Sequence, residues 1–202
     1  ARGGACGGNL KQIGYAFHMY ADDNNDMVTL DWDGNYWSLY MTSYFSDSEK
    51  AVKEAKTKVY HCPATFRPWD GTTYTWESSY YLRTTYAGNT NSGFDSIKRP
   101  KPAGGTASLY ISFQLSRVPE AERKINAKLP LLSEAVYNSY PYLAYYRLYP
   151  NGNSTGVNLR AHNGRANFLL SDGHVETGDR NIFKKDILCT RGSFDGVNIV
   201  DL

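Results

Sequence analysis

In this chain of 202 residues, Lys and Arg (22) nearly balance Asp and Glu (20), and the net charge of +2 gives no electrostatic argument for nucleic acid or an anionic membrane as partner. The length suits one domain with a sizeable core, while the short apolar runs and a mean hydropathy of -0.54 exclude a membrane-spanning helix within these residues. Seventeen tyrosines, eight phenylalanines and four tryptophans against three methionines point to an exported, β-rich, interaction-prone protein, because tyrosine joins apolar bulk to a polar tip.

From the N-terminus, Cys6, Leu10, Ile13, Phe17 and Tyr20 recur at steps of four and three and predict one apolar stripe of a helix. Its end is set by Ala21 to Asp26, ADDNND, whose short polar side chains compete for backbone hydrogen bonds. Gly3, Gly4, Gly7 and Gly8 each cost about 1 kcal/mol against alanine, so fraying is expected before Asn9. The run from Gly34 through Phe45 reads as one or two aromatic amphipathic turns, followed by a charged helix from a Ser46 or Asp47 cap to about Lys56. Val59 to Cys62 predicts a short strand stopped by Pro63, and Ser78 to Ala87 and Thr106 to Leu115 predict two more, separated by an Asn-, Ser-, Gly- and Pro-rich loop. VPEAERKIN, Val118 to Asn126, predicts a short helix with Pro119 at its first position and acids in its first turn. LPLLSEA then reads as a buried strand, LAYYRLYPNGN as a strand with a turn, and NFLLSDGHVE as a tight hairpin with Asp172-Gly173 at its tip.

The stretch HNGRANFLLSDGHVE carries the candidate chemistry. Ala166, Phe168 and Leu170 share one face of the incoming strand, and His174 and Glu176 share one face of the outgoing strand. On an architectural reading Gly173 supplies a positive φ, Asp172 accepts turn N–H groups and His162 ties a neighbouring loop. A catalytic or metal reading would gather His162, Asp172, His174 and Glu176, but no third ligand stands at a recognised spacing and no G-x-S-x-G nucleophile is present. Three cysteines without C-x-x-C spacing argue against structural zinc, and at most one bridge can form within the chain. Catalytic residues, metal and cofactor are therefore read as none.

Three motifs carry a resemblance. His162, nine residues, then Asp172-Gly173; CGGNLKQIGYAFHMYADDNND from Cys6 to Asp26; and VYHCPA from Val59 to Ala64 together resemble the bacterial prepilin-type processing-associated H-X9-DG proteins, a pseudopilin-like group related to type II secretion and type IV pilus subunits. The resemblance implies an α+β, pilin-like fold, with an N-terminal amphipathic helix packed on an antiparallel sheet. It divides a single domain into residues 1–26, the C-terminal part of a spine helix; 65–160, a variable insert; and 161–177, the H-X9-DG hairpin. It also implies a non-enzymatic subunit with a basic leader and an apolar helix ahead of Ala1, where no initiator Met stands, anchored as precursor in the inner membrane and facing the periplasm or exterior. Other pilin-like subunits or secretion components are the implied partners, and because pseudopilins can bind calcium the resemblance offers calcium at Asp22 to Asp26 or at Asp31 to Asn35 as the alternative to no cofactor, without EF-hand spacing. Two of the three cysteines lie in these motifs, which favours a Cys6–Cys62 bridge in an exported chain; the alternative leaves Cys62 as a buried apolar residue and Cys6 unbridged. A carbohydrate- or peptide-binding module displaying Trp69, Trp76, Tyr80, Tyr145 and Tyr146 is the rival function, and a histidine-using hydrolase the third.

Overall fold

The computed structural model describes residues 2–32, 35–45, 57–64, 86–89, 94, 97, 110–137, 140–144, 147–148, 155–189, 191–193 and 200–202. Helix α1 spans Arg2–Asp23. Its stripe is buried at Cys6, Leu10, Ile13 and Phe17, joined by Ala16 and Ala21. Tyr20 ends the stripe half-exposed, edge-on to Tyr40 and Tyr44 at ring distances of 6.2 and 6.1 Å. The expected fraying before Asn9 does not occur, because tertiary contacts hold the glycine-rich first turns. Cys6 is disulfide-bonded to Cys62, and Asn9 Nδ2 donates to the His61 carbonyl at 2.9 Å. Such contacts override weak propensity.

The architecture is α+β, with helices on mainly antiparallel sheets. A small sheet orders β2 (Asn35–Tyr36), β1 (Met27–Trp32) and β4 (Tyr110–Gln114). The larger sheet is organised around β5 (Leu132–Tyr137), which changes partners along its length. Its first half pairs with β9 (Arg165–Leu169) and β3 (Tyr86–Asn89); its second half pairs with β8 (Thr155–Asn158) and β6 (Tyr140–Ala144). Beyond β9 lies β10 (Val175–Asp179); beyond β8 lie β11 (Arg191–Ser193) and β12 (Val200–Asp201). Among the described residues two pairings, β8 with β11 and β3 with β7 (Arg147–Leu148), are parallel. β5 belongs to the stretch 65–160, yet it hydrogen-bonds directly to the H-X9-DG hairpin.

Both faces of β9 are covered, as the alternation of its side chains requires. Leu169 packs in one core with Leu10, Ile13 and Phe17 of α1. Ala166 and Phe168 turn to a second core with Phe183 of α4 (Arg180–Lys185), Ile187 and buried Cys189. Asp179 caps α4 by accepting from Asn181 and Ile182 N–H.

Other expectations fare unevenly. α2 (Trp37–Tyr40) and a 3-10 turn at Thr42–Phe45 supply the aromatic turns, and α3 occupies Val118–Ile125, closed by Asn126 at φ 51°. The strand expected at Val59–Cys62 is instead a 3-10 turn over Lys58–Tyr60 followed by extended His61. Tyr60, His61 and Cys62 are all buried, which an alternating strand on a one-sided sheet does not allow; the turn seats Tyr60 between Trp37 and Phe45, at ring distances of 5.0 and 5.4 Å. β1 was not expected from the sequence, because Asp31 breaks its apolar run. The charged helix to Lys56 lies outside the described residues, as does most of Ser78–Ala87. No helix among the described residues is long and apolar enough to cross a membrane.

Candidate functional site

The hairpin tip is built by Asp172 and Gly173. Asp172 Oδ1 accepts the His174 N–H at 2.9 Å, Gly173 N–H donates to the Leu170 carbonyl at 3.1 Å, and Gly173 takes φ +80°. That conformation suits glycine. The tip is seated on α1 at Gly14, where a Cβ would stand 2.9 Å from Leu169 Cδ1 and 3.4 Å from Gly173 Cα. On the other side a Cβ at Gly173 would lie 3.5 Å from His18 Nε2. The glycines of NLKQIG and of the DG pair thus let helix and turn touch. His174 points to solvent, 76% exposed, and Glu176 pairs with Lys128 at 2.6 Å. Neither joins His162, so the grouping of His162, Asp172, His174 and Glu176 does not form.

His162 lies at the other end of the motif, closing a 3-10 turn (Leu159–His162) ahead of β9. Its Nε2 is 2.9 Å from Glu134 Oε1 and 3.7 Å from Cys62 Sγ. Glu134 is 1% exposed and sits where β5 leaves β9 for β8. After Leu132–Leu169 and Ser133–Phe168 the ladder stops; the Asn167 N–H goes instead to Glu134 Oε2 at 2.9 Å, and Ser133 Oγ donates to the Asn167 carbonyl at 3.4 Å. The two side chains satisfy backbone groups that the departing strand would leave unpaired. A carboxylate so buried needs its partners, and an N–H and an imidazole supply them.

Cys6, Cys62, Glu134 and His162 therefore form one buried cluster, their ligating atoms all within 4.8 Å of one another. Cys6 and Cys62 are joined across a Cα–Cα distance of 4.9 Å, and Cys189 takes no part. Beside the bridge is an open cleft of about 520 Å³ lined by Ala5, Asn9 and Gln12 of α1 and by Val59, His61 and Pro63.

Three residues of the acidic run at the end of α1 are engaged by protein groups. Asp26 Oδ2 accepts the Ser116 hydroxyl at 2.5 Å, Asn24 Nδ2 donates to the Tyr20 carbonyl at 2.8 Å, and Asp23 accepts the Tyr44 hydroxyl at 2.8 Å. Asn25 and Asp26 take positive φ, 55° and 66°, as the chain reverses into β1. The Tyr44 phenol is pushed up to about 12, by burial first and then by its bond to Asp23 and the charges of Asp23 and Tyr20. The side chains of Asp31 to Asn35, and Trp69, Trp76, Tyr80, Tyr145 and Tyr146, lie outside the described residues.

Glu134 escapes the sequence reading, although an acid inside the buried run LPLLSEAV is a visible signal that it has a partner. Spacing could not find the cluster, since its members come from four elements far apart in sequence. Comparison with known proteins returned no match: no family model, curated protein or solved structure aligns with this chain.

Proposed function

We propose that this chain is a non-enzymatic, pseudopilin-like subunit of a bacterial surface or secretion assembly, acting by assembly and surface contact. The observation that carries the reading is the seating of the Asp172-Gly173 turn on α1 at Gly14 and His18. Two of the three resemblance motifs meet there, and the third joins them through the Cys6–Cys62 bridge and the bond from Asn9 to the His61 carbonyl. A sheet clamped to one side of a long helix leaves the opposite side available, and Tyr15 and Met19, 59% and 53% exposed, stand there one turn apart. Scattered exposed apolar residues are common on any surface; here they lie on the helix that the resemblance extends toward an apolar anchor. In this reading the anchor precedes Ala1, holds the precursor in the inner membrane and later packs in a filament core, with the described residues facing the periplasm or exterior.

The test is processing. The complete gene, carrying a C-terminal tag, is expressed in its host with and without the prepilin peptidase. The expected result is a longer, membrane-retained form when the peptidase is missing. An identical mass in both strains would overturn the reading.

A further inference from the structure

Thiolate sulfur, imidazole nitrogen and carboxylate oxygen are the ordinary ligands of zinc, and four of them close a tetrahedral structural site. The cluster offers two sulfurs, one nitrogen and one oxygen, from α1, the segment ahead of Pro63, β5 and the turn before β9. In a tetrahedron with bonds of about 2.0 to 2.3 Å, neighbouring ligand atoms stand roughly 3.3 to 3.8 Å apart. Cys62 Sγ and His162 Nε2 are already at 3.7 Å, and His162 Nε2 and Glu134 Oε1 at 2.9 Å. Glu134 is also oriented in advance, because Oε2 is held by the Asn167 N–H while Oε1 faces the imidazole. A short contact between a ring nitrogen and a carboxylate oxygen, both able to accept, requires a hydrogen between them, and a metal ion can take that hydrogen's place.

We propose that Cys6, Cys62, Glu134 and His162 form a redox-gated zinc site, closed to metal while the two sulfurs are joined and binding one zinc ion when they are reduced. The gate is a balanced exchange. A dithiol reductant breaks the Cys6–Cys62 bond, supplying two electrons and two protons, and leaves as its own disulfide. Zinc then displaces both thiol protons, and the hydrogen between His162 and Glu134 moves to Nδ1 or to solvent. In the reverse direction a disulfide oxidant takes two electrons from the bound thiolates, takes two protons from solvent and leaves as its own dithiol, so that the bridge reforms and the ion is expelled. Both sulfurs are buried, but Ala5, Asn9, His61 and Pro63 beside them line the open cleft, which gives reductant and ion a short approach. One set of residues would thus hold α1 to the core under either redox condition: zinc while the chain is reduced, the disulfide after oxidation.

The experiment reduces the full chain with a phosphine, removes the reductant without air and adds cobalt or zinc alone. Reduced protein is expected to take up one equivalent, cobalt giving the visible bands of a tetrahedral centre with thiolate charge transfer, and the oxidised protein none. Cys62→Ser should abolish the spectrum, Cys189→Ala should leave it, and Glu134→Gln and His162→Ala should each weaken binding by more than about tenfold, a loss that follows even from removing a residue behind a ligand. If these variants fail to fold, the wild type decides alone through melting of the reduced protein, which zinc should raise. A reduced chain with no tetrahedral cobalt spectrum and no zinc-dependent melting shift would overturn the proposal, as would binding that survives Cys62→Ser.

Discussion

Replacing His162 by alanine would leave the Glu134 carboxylate buried with one fewer hydrogen-bond partner, and the expected loss of stability is about 1 to 3 kcal/mol. Asp172→Ala removes a bond at an exposed turn and should lose less, about 1 kcal/mol. Urea unfolding of the two variants ranks them; equal losses would show that burial adds nothing to the bond between His162 and Glu134. Tyr44 sets an alkaline limit. Its folded pKa of about 12 lies above the value of about 10 expected for the unfolded chain. Between those two pH values the unfolded chain has given up a proton that the folded one keeps, so the contribution is whole below pH 10 and fades as pH rises toward 12. Stability measured across that interval should fall less steeply in Tyr44→Phe, and an unchanged slope would show that burial and Asp23 do not act on this phenol.

Along α1, the glycines separate into two kinds that behave oppositely. A Cβ added at Gly4 or Gly8 meets nothing within 4 Å, so alanine there should stabilise by up to about 1 kcal/mol through helix propensity. At Gly14 the same methyl meets Leu169 and Gly173, and the crowding, about 1 to 3 kcal/mol, should exceed that gain. Thermal melting of the three alanine variants checks the signs, and a stabilised Gly14→Ala would mean that helix and turn do not touch. The helix itself was legible because its period is local: Cys6, Leu10, Ile13 and Phe17 mark the buried face without reference to any other element. α3 and the β9–β10 hairpin were legible for the same reason, through Pro119 and through Asp172-Gly173. β5 reads as a buried strand, but nothing local to it says that it changes partners at Glu134, since that depends on β8 and β9, residues 155–158 and 165–169. Likewise Cys6, Cys62 and His162 stand out in the sequence singly, whereas their convergence on Glu134 is a property of the folded chain. The segment 58–62 misleads because its residues have strand composition while three neighbouring positions face the core together.

At the scale of the whole molecule, the bridge closes a loop with a sequence separation of 56 residues, for which the chain-entropy account gives about 4 kcal/mol. Reduction in metal-free buffer should therefore lower the melting temperature by roughly 10 °C for a chain of this size, and a melt unchanged by reduction would show that the bridge does not hold the native state. The same bridge has a mechanical consequence. A pull applied ahead of α1 and resisted at the C-terminus enters the globule at Cys6, crosses to Cys62 and bypasses everything between them. The rest of α1, the acidic turn, β1 and α2 are outside the load path, and a stretch of up to about 200 Å of chain, 56 steps at roughly 3.6 Å each, is withheld from extension while the sulfurs stay joined. Single-molecule stretching should recover that length only under reducing conditions, so that the covalent link, rather than helix packing, sets how far the globule yields when its helix is drawn on.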